Sequence, residues 1–209
     1  MPGILSFRRW RRPTRARCAL LAVVAAMWLC VSLEAASQRL RLEFTPANTA
    51  VNFALGDLLH TVRGSFRLKH GDVECNLPTA AVTGALVIDA SSGQSGNRIR
   101  DRKMHREILE SARYSEITFR PDRIEGDIPP SGASTIKVHG LFSLHGADHE
   151  LTMPVRVQVF SDHWIADTRF TIPYVKWGIK NPSAFLLRVS ESVEIAVHAS
   201  GTTPFAAAR

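Results

Sequence analysis

The chain has 209 residues, of which 26 are Lys or Arg and 19 are Asp or Glu, so its formal net charge is +7. The first 37 residues hold six of the basic residues and one of the acidic ones, which leaves 20 against 18 and a net charge of +2 in the remainder. A remainder so nearly neutral gives no support for nucleic-acid binding, and its length suits one domain with a full core or an enclosed cavity.

Residues 1–37 are predicted to be a cleaved signal peptide, which makes the protein periplasmic. The basic stretch RRWRRPTRAR precedes the apolar stretch CALLAVVAAMWLCVSL, and EAAS supplies a small-residue cleavage site. An uncleaved anchor in the inner membrane is the alternative, but the apolar run is shorter than the roughly 20 residues that a spanning helix needs. Cleavage would remove Cys18 and Cys30 and leave Cys75 without a disulfide partner.

The first predicted strands show apolar residues at every second position. The segments with this pattern are TAVNFAL and VTGALVIDA, and the turn-forming sequences around them are TPANT and KHGD. Gly84 lies on the apolar face of the second segment, and Gly140 lies on a similar face further along the chain. Both glycines are expected to free space inside the folded domain.

A short basic helix is predicted next, within GNRIRDRKMHREILESARYSEITF. Asn97 is a suitable N-cap, and Met104, Ile108 and Leu109 form a narrow apolar stripe. One further isoleucine falls opposite that stripe, so the regular helix is expected to begin nearer Arg102 than Asn97. A stripe this narrow covers another surface rather than forming a core.

The basic residues of this helix admit two interpretations. The plain interpretation is a solvated helix face. The sharper one is that Arg102, Lys103 and Arg106 contact a phosphate-bearing head group or, transiently, an anionic membrane surface.

The later strands repeat the alternation. The segments are TIKVHGLFSLHG, LTMPVRVQVF, DHWIADTRFTIPY and ESVEIAVHA, with turns at EGDIPPSGAS and HGAD. Roughly eight strands with short connections predict an all-β antiparallel meander, and closure into a barrel is favoured over a sandwich because it leaves no exposed edges. An outer-membrane barrel would turn its apolar face to lipid, but short loops and the lack of aromatic girdles favour an apolar interior.

Five segments, by their order and spacing, resemble the YceI-like family of exported bacterial proteins from Leu40 to Thr202. They are HTVRGSF, RDRKMHREILESARYSEITF, VHGLFSLHG, ELTMPV and YVKWGIKNPSAFLLRVSESVEI. The resemblance implies a lipocalin-like, eight-stranded antiparallel barrel with one short helix inserted between strands near the middle. It also implies that residues 38–202 are a lipid-binding barrel domain, that 203–209 are a C-terminal tail, and that the helix closes one end.

The resemblance further implies a long isoprenoid amphiphile, of prenyl quinone or polyprenyl phosphate type, inside the barrel. Ten CH₂-sized groups would contribute roughly 8 kcal/mol by burial alone, so no polar recognition is needed for affinity. The candidate ligand-binding residues are Phe66, Phe119, Phe142, Trp164, Phe170, Tyr174, Trp177, Met104 and Ile108. We predict a binding or carrier protein without a cofactor, and two alternatives stay open: an enzyme that modifies such a lipid, and a structural barrel with a filled core.

The eight histidines raise the question of a metal site. His139 and His145 are about 20 Å apart along one strand, too far to share a metal ion. His145 and His149 flank a turn, but no carboxylate or Cys at a ligand spacing joins them. The chain also lacks a nucleophile elbow, a phosphate-binding Gly-rich loop and a zinc-protease motif, so neither a metal site nor catalytic residues are predicted.

Overall fold

The computed structural model describes residues 39–56, 60–183 and 189–202. The predicted signal peptide and the predicted tail from residue 203 lie outside the described residues. The described strands are β1 Arg39–Phe44, β2 Thr49–Gly56, β3 Thr61–Asn76, β4 Ala81–Gln94, β5 Glu116–Glu125, β6 Gly132–Leu144, β7 Ala147–Val159, β8 His163–Ile172 and β9 Val193–Thr202. Between β4 and β5 lies the helix α1, Arg98–Lys103, which continues into a π-helical turn, Met104–Ile108.

Eight strands close into an antiparallel barrel, as predicted. The order is β3-β2-β9-β8-β7-β6-β5-β4, and β4 pairs back with β3. The remaining strand, β1, pairs with the same edge of β3 as β2 does. Arg39 of β1 is opposite Asn76 of β3, and Gly56 of β2 is opposite Thr61 of β3. A turn at residues 45–48, where the Thr45 amide donates to Asn48 Oδ1 at 2.7 Å, separates the two halves of this edge.

The alternation places apolar side chains inside the barrel and charged ones outside. Val51 and Phe53 of β2 are buried, whereas the intervening Asn52 is exposed. The outer face of the barrel carries ion pairs, among them Arg39–Glu74, Arg67–Asp89 and Arg120–Asp148. The apolar interior predicted from the short loops and the lack of aromatic girdles is therefore confirmed. Within the described ranges, no helix is both long and apolar enough to cross a membrane.

The predicted turn at KHGD is wrong, because β3 runs through it without interruption. A register shift between Leu68 and His70 bends the strand instead, as a β-bulge does, so that β3 can pair with β1, β2 and β4. The HGAD turn is confirmed: His145 and Gly146, with φ of 53° and 79°, form a two-residue hairpin turn between β6 and β7.

The two glycines on apolar faces do not free space inside, contrary to expectation. A Cβ at Gly84 would lie 2.0 Å from the Asp72 carbonyl oxygen, and Gly84 has a φ of 114°. A Cβ at Gly140 would lie 2.3 Å from the Arg120 carbonyl oxygen. Both residues therefore allow neighbouring backbones to approach closely, and neither lines the interior cavity.

The helix begins earlier than expected, because its N-cap decides where it starts. Asn97 Oδ1 accepts from the amides of Ile99 and Arg100 at 3.0 and 3.1 Å, so α1 begins at Arg98 rather than near Arg102. The apolar residue that argued for a later start, Ile99, is simply exposed to solvent. In the π-helical turn, the Leu109 amide donates to the Met104 carbonyl oxygen at 2.8 Å.

The two ends of the barrel are built differently. The helix end, as we call it, is where β2, β4, β6 and β8 finish; it carries α1, the π-helical turn and the segment 173–183 that follows β8. The turn end is opposite, where residues 77–80, 126–131 and 160–162 make short connections. The helix end therefore has the larger covering elements.

Candidate functional site

The interior of the barrel holds a cavity of about 760 Å³. It extends from Leu40 and Trp164 near the turn end to Met104 and Ile108 beneath the helix, and its wall is almost entirely apolar. A cavity of this volume lies in the range of ordinary small-molecule sites. The structure therefore contradicts the alternative of a barrel with a filled core.

Most of the predicted site residues line this cavity, and three do not. Those that line it are Phe66, Phe119, Phe142, Trp164, Phe170, Tyr174, Met104, Ile108 and Lys103. Those outside the lining are Trp177, Arg102 and Arg106. Contact between any of these side chains and a ligand stays a prediction.

Trp177, in the segment after β8, packs against a residue of the cavity wall. Its ring lies 5.9 Å from that of Phe142 and is stacked on His149 at 4.1 Å. Phe142 in turn meets Phe170 edge to face at 6.4 Å. Because aromatic pairs in these geometries attract each other, Trp177 holds Phe142 in place.

The segment after β8 covers part of the helix end. Tyr174 and Ile179 are buried, and the Tyr174 hydroxyl donates to the Ser190 carbonyl oxygen at 2.6 Å. Burial, and to a lesser extent the charge of Glu191, raises the pKa of Tyr174, so this phenol stays protonated at neutral pH. Its role in the structure is therefore that of a wall residue with a satisfied polar end.

The π-helical turn is tethered to β4 by His105, which the sequence reasoning missed. His105 Nε2 donates to the Gly93 carbonyl oxygen at 2.8 Å, which leaves Nδ1 to accept from the Ser111 hydroxyl at 3.2 Å. A Cβ at Gly93 would lie 2.5 Å from the Phe66 ring and 2.8 Å from Met104, so only glycine allows these side chains to approach β4 this closely. The available signal was a histidine beside the apolar stripe.

Replacing His105 with Ala is expected to loosen this cover. The Gly93 carbonyl oxygen loses its donor and the Ser111 hydroxyl loses its acceptor, and the loss of these two hydrogen bonds costs about 1–3 kcal/mol. Amide hydrogen exchange across residues 98–108 should become faster by about tenfold or more, with little change in the exchange of β6 and β7. The control is His163→Ala, which removes an exposed histidine at the turn end. Equal exchange in the two variants would contradict the tether.

The three predicted head-group cations occupy different positions. Lys103 reaches the cavity mouth, whereas Arg106 is paired with Glu107 at 2.7 Å on the outer surface. Arg102 is exposed. Arg100, which was not predicted, also lines the mouth, where its Nε donates to the Ser95 hydroxyl at 2.7 Å. Cations at the rim are therefore contributed mainly by the first turn and a half of the helix.

Cysteine and histidine side chains in and near the cavity are the candidates for catalytic or metal-binding chemistry. Cys75 lines it, but burial raises the pKa of this thiol to about 11, so it packs as a small neutral side chain. His145 lies 3.5 Å from Glu110, and His149 stacks on Trp177 instead. In the described part of the chain, no three His, Cys, Asp or Glu side chains are grouped to hold a metal ion.

Comparison with known proteins gives one family. The model of the family described as the YceI-like domain matches residues 42–200. Among curated proteins, none matches the chain.

Several solved structures share the fold at low sequence identity. BcnA of Burkholderia cenocepacia is 17% identical with a TM-score of 0.62, and the match covers 74% of this chain and 96% of BcnA. A polyisoprenoid binding domain from Saccharophagus degradans is 17% identical with a TM-score of 0.57, over 78% of this chain and 98% of that one. The YCEI protein of Campylobacter jejuni is 14% identical with a TM-score of 0.57, over 69% and 86%. At these identities the matches establish the fold.

Proposed function

The chain belongs to the YceI-like family, and from that membership we propose that it is a periplasmic binding or carrier protein for a long isoprenoid amphiphile. The observation that carries the proposal is the apolar cavity of about 760 Å³ inside the barrel. A prenyl chain is apolar along its whole length, so such a wall stabilises it by burial without specific polar contacts. The similar domain from Saccharophagus degradans, described as polyisoprenoid binding, supports the same ligand class.

Binding without catalysis is the second part of the proposal. The cavity wall is almost entirely apolar, and of its titratable side chains Lys103 lies at the mouth while burial keeps the thiol of Cys75 neutral; a lipid-modifying enzyme would need an acid and a base or nucleophile grouped against the chain. Incubation with a prenyl alcohol or prenyl phosphate should therefore return the lipid with unchanged mass. A product of different mass would favour the enzyme instead.

Periplasmic location is the third part, and it rests on residues 1–37, whose structure lies outside the described ranges. A basic stretch, an apolar stretch and a small-residue site in that order support export and cleavage. The intact mass of the exported protein tests this, since an uncleaved leader would contradict it.

We expect affinity to rise with ligand length and then to level off. Each CH₂-sized group contributes about 0.8 kcal/mol, which is about a fourfold gain in affinity. A CH₂-sized group occupies about the volume of a water molecule, about 30 Å³, so the 760 Å³ cavity accommodates about 25 CH₂-sized groups. Titration of the delipidated protein with isoprenoid alcohols of increasing length should show this plateau near about 25 carbons. Affinity independent of length from the shortest alcohol onward would rule out binding in the barrel.

A further inference from the structure

The exposed side of α1 combines an apolar side chain with an excess of cations near the cavity mouth. Ile99 is 79% exposed and lies on the rim of the cavity. The other exposed large apolar side chain in the described ranges, Phe160, is 41% exposed and stacks on His163 at the turn end. Single exposed apolar residues are common on soluble proteins, so Ile99 gains meaning only from its surroundings.

Those surroundings are strongly positive. Arg98, Arg102 and Lys103 are exposed, and none of them has an ion pair within the described ranges. The helix has two carboxylates beside these cations: Asp101 accepts from the neutral amide of Ser95 and keeps its negative charge, and Glu107 is paired with Arg106. Five cations between Arg98 and Arg106 stand against these two carboxylates, so this segment keeps a net charge of +3.

A second segment adds positive charge at the same end. The hydrogen bond from Arg106 lowers the pKa of Glu107, and the nearby charges of Lys103 and Lys180 lower it further. Lys180 belongs to the segment that covers the helix end after β8. Cations from two separate elements thus lie together beside the cavity mouth.

We propose that Arg98, Ile99, Arg102 and Lys103, which we call the mouth surface, dock the barrel onto an anionic lipid bilayer. A bilayer of this kind offers negative charge to the three cations and, just beneath it, an apolar layer for Ile99. A nucleic acid or an acidic peptide would neutralise the cations but leave Ile99 without an apolar environment. The benefit of this orientation rests on the proposed function. With the mouth against the bilayer, an isoprenoid chain would pass between membrane and cavity without crossing water.

Vesicle sedimentation with the full chain tests the charges first. On vesicles of equal parts phosphatidylglycerol and phosphatidylcholine, Arg102→Gln with Lys103→Gln should weaken binding about 25-fold, since each cation contributes about fivefold near an anionic surface. The matched control, Lys137→Gln with Arg156→Gln, removes the same charge from the exposed faces of β6 and β7. It should bind as the unchanged chain does.

The apolar contact has its own matched pair. Ile99→Ser should weaken vesicle binding about tenfold, because the side chain no longer enters the apolar layer. Phe160→Ser, at the turn end, should have no effect. High salt should weaken binding of the unchanged chain, because screening reduces attraction between exposed charges and the surface. Equal binding by Ile99→Ser and Phe160→Ser would overturn the proposal.

A local readout separates the mouth surface from residues 1–37, which are also basic and apolar. Amide hydrogen exchange in residues 98–103 should slow when vesicles are added. Unchanged exchange there, or equal binding to pure phosphatidylcholine vesicles, would also overturn it. If the protein docks on vesicles but never yields an isoprenoid, the proposed function alone is refuted. If it yields an isoprenoid but does not dock, the docking role of the mouth surface alone is refuted.

Discussion

Replacing Ala166 with Trp is expected to lower the affinity for an isoprenoid chain by roughly a thousandfold. Ala166 lies in β8 and lines the cavity, beside Val157 and Ala199 on the neighbouring strands. An indole at this position displaces about five CH₂-sized groups of the ligand, which corresponds to about 4 kcal/mol of lost burial. Isothermal titration of the delipidated protein with a long prenyl alcohol measures the loss.

The control is the same substitution on the other side of the sheet. Ala196 lies in β9 between two cavity-lining residues, Ile195 and Val197, and is not itself part of the lining. Ala196→Trp should therefore bind the prenyl alcohol with nearly unchanged affinity. If both Trp variants bound equally well, the ligand would not occupy the barrel interior.

Replacing Phe142 with Ala is expected to destabilise the ligand-free domain by about 3–5 kcal/mol. Phe142 is 6% exposed and contacts Phe170 and Trp177, so its removal enlarges the cavity and ends both ring contacts. For a domain of this size the melting temperature should fall by roughly 10 °C. Thermal unfolding followed by circular dichroism provides the measurement.

Phe160→Ala provides the comparison for this stability effect. Phe160 is 41% exposed and its ring lies against His163 rather than inside the barrel. Its loss should cost less than about 1 kcal/mol. Similar melting temperatures for the two Phe→Ala variants would mean that the wall formed by Phe142 does not support the fold.

The strand pattern was predictable because it depends on local chemistry. A half-buried strand needs apolar residues at alternate positions, and β2, β6 and β9 satisfy this with Val51, Ile136 and Ile195. Asn97 was recognisable as a suitable N-cap for a similar reason, since a single side chain satisfies the first amides of the helix, although the predicted start nearer Arg102 was wrong. Period and capping are properties of short segments.

Contacts between distant segments were not predictable. Gly71 looked like a turn residue, but it lies opposite Phe44, and a Cβ there would be 3.0 Å from that side chain, so it serves the pairing of β1 with β3. The tether from His105 to Gly93 joins a helix to a strand across twelve positions, and a histidine beside the apolar stripe does not tell which strand it contacts. Strand register and covering contacts depend on which surfaces meet in three dimensions.

The distribution of charge on the helix shows the same division. Six basic residues between 98 and 113 were evident in the sequence, but their order does not say which of them face the cavity. The fold assigns Lys103 to the mouth, Arg106 to an ion pair with Glu107, and Arg98 and Arg102 to solvent. The π-helical turn after Lys103 changes which side chains face the barrel. A helical wheel assumes a regular α-helix, so it does not predict this change.

Organic-solvent extraction of the exported protein, followed by mass spectrometry, tests the central claim most directly. The protein should be isolated under native conditions, without detergent, beside its Ala166→Trp variant. We predict close to one isoprenoid lipid per protein molecule, and a strongly reduced amount in the variant. A native protein that yields no long-chain amphiphile, or equal yields from the two proteins, would contradict the claim that the cavity holds such a lipid.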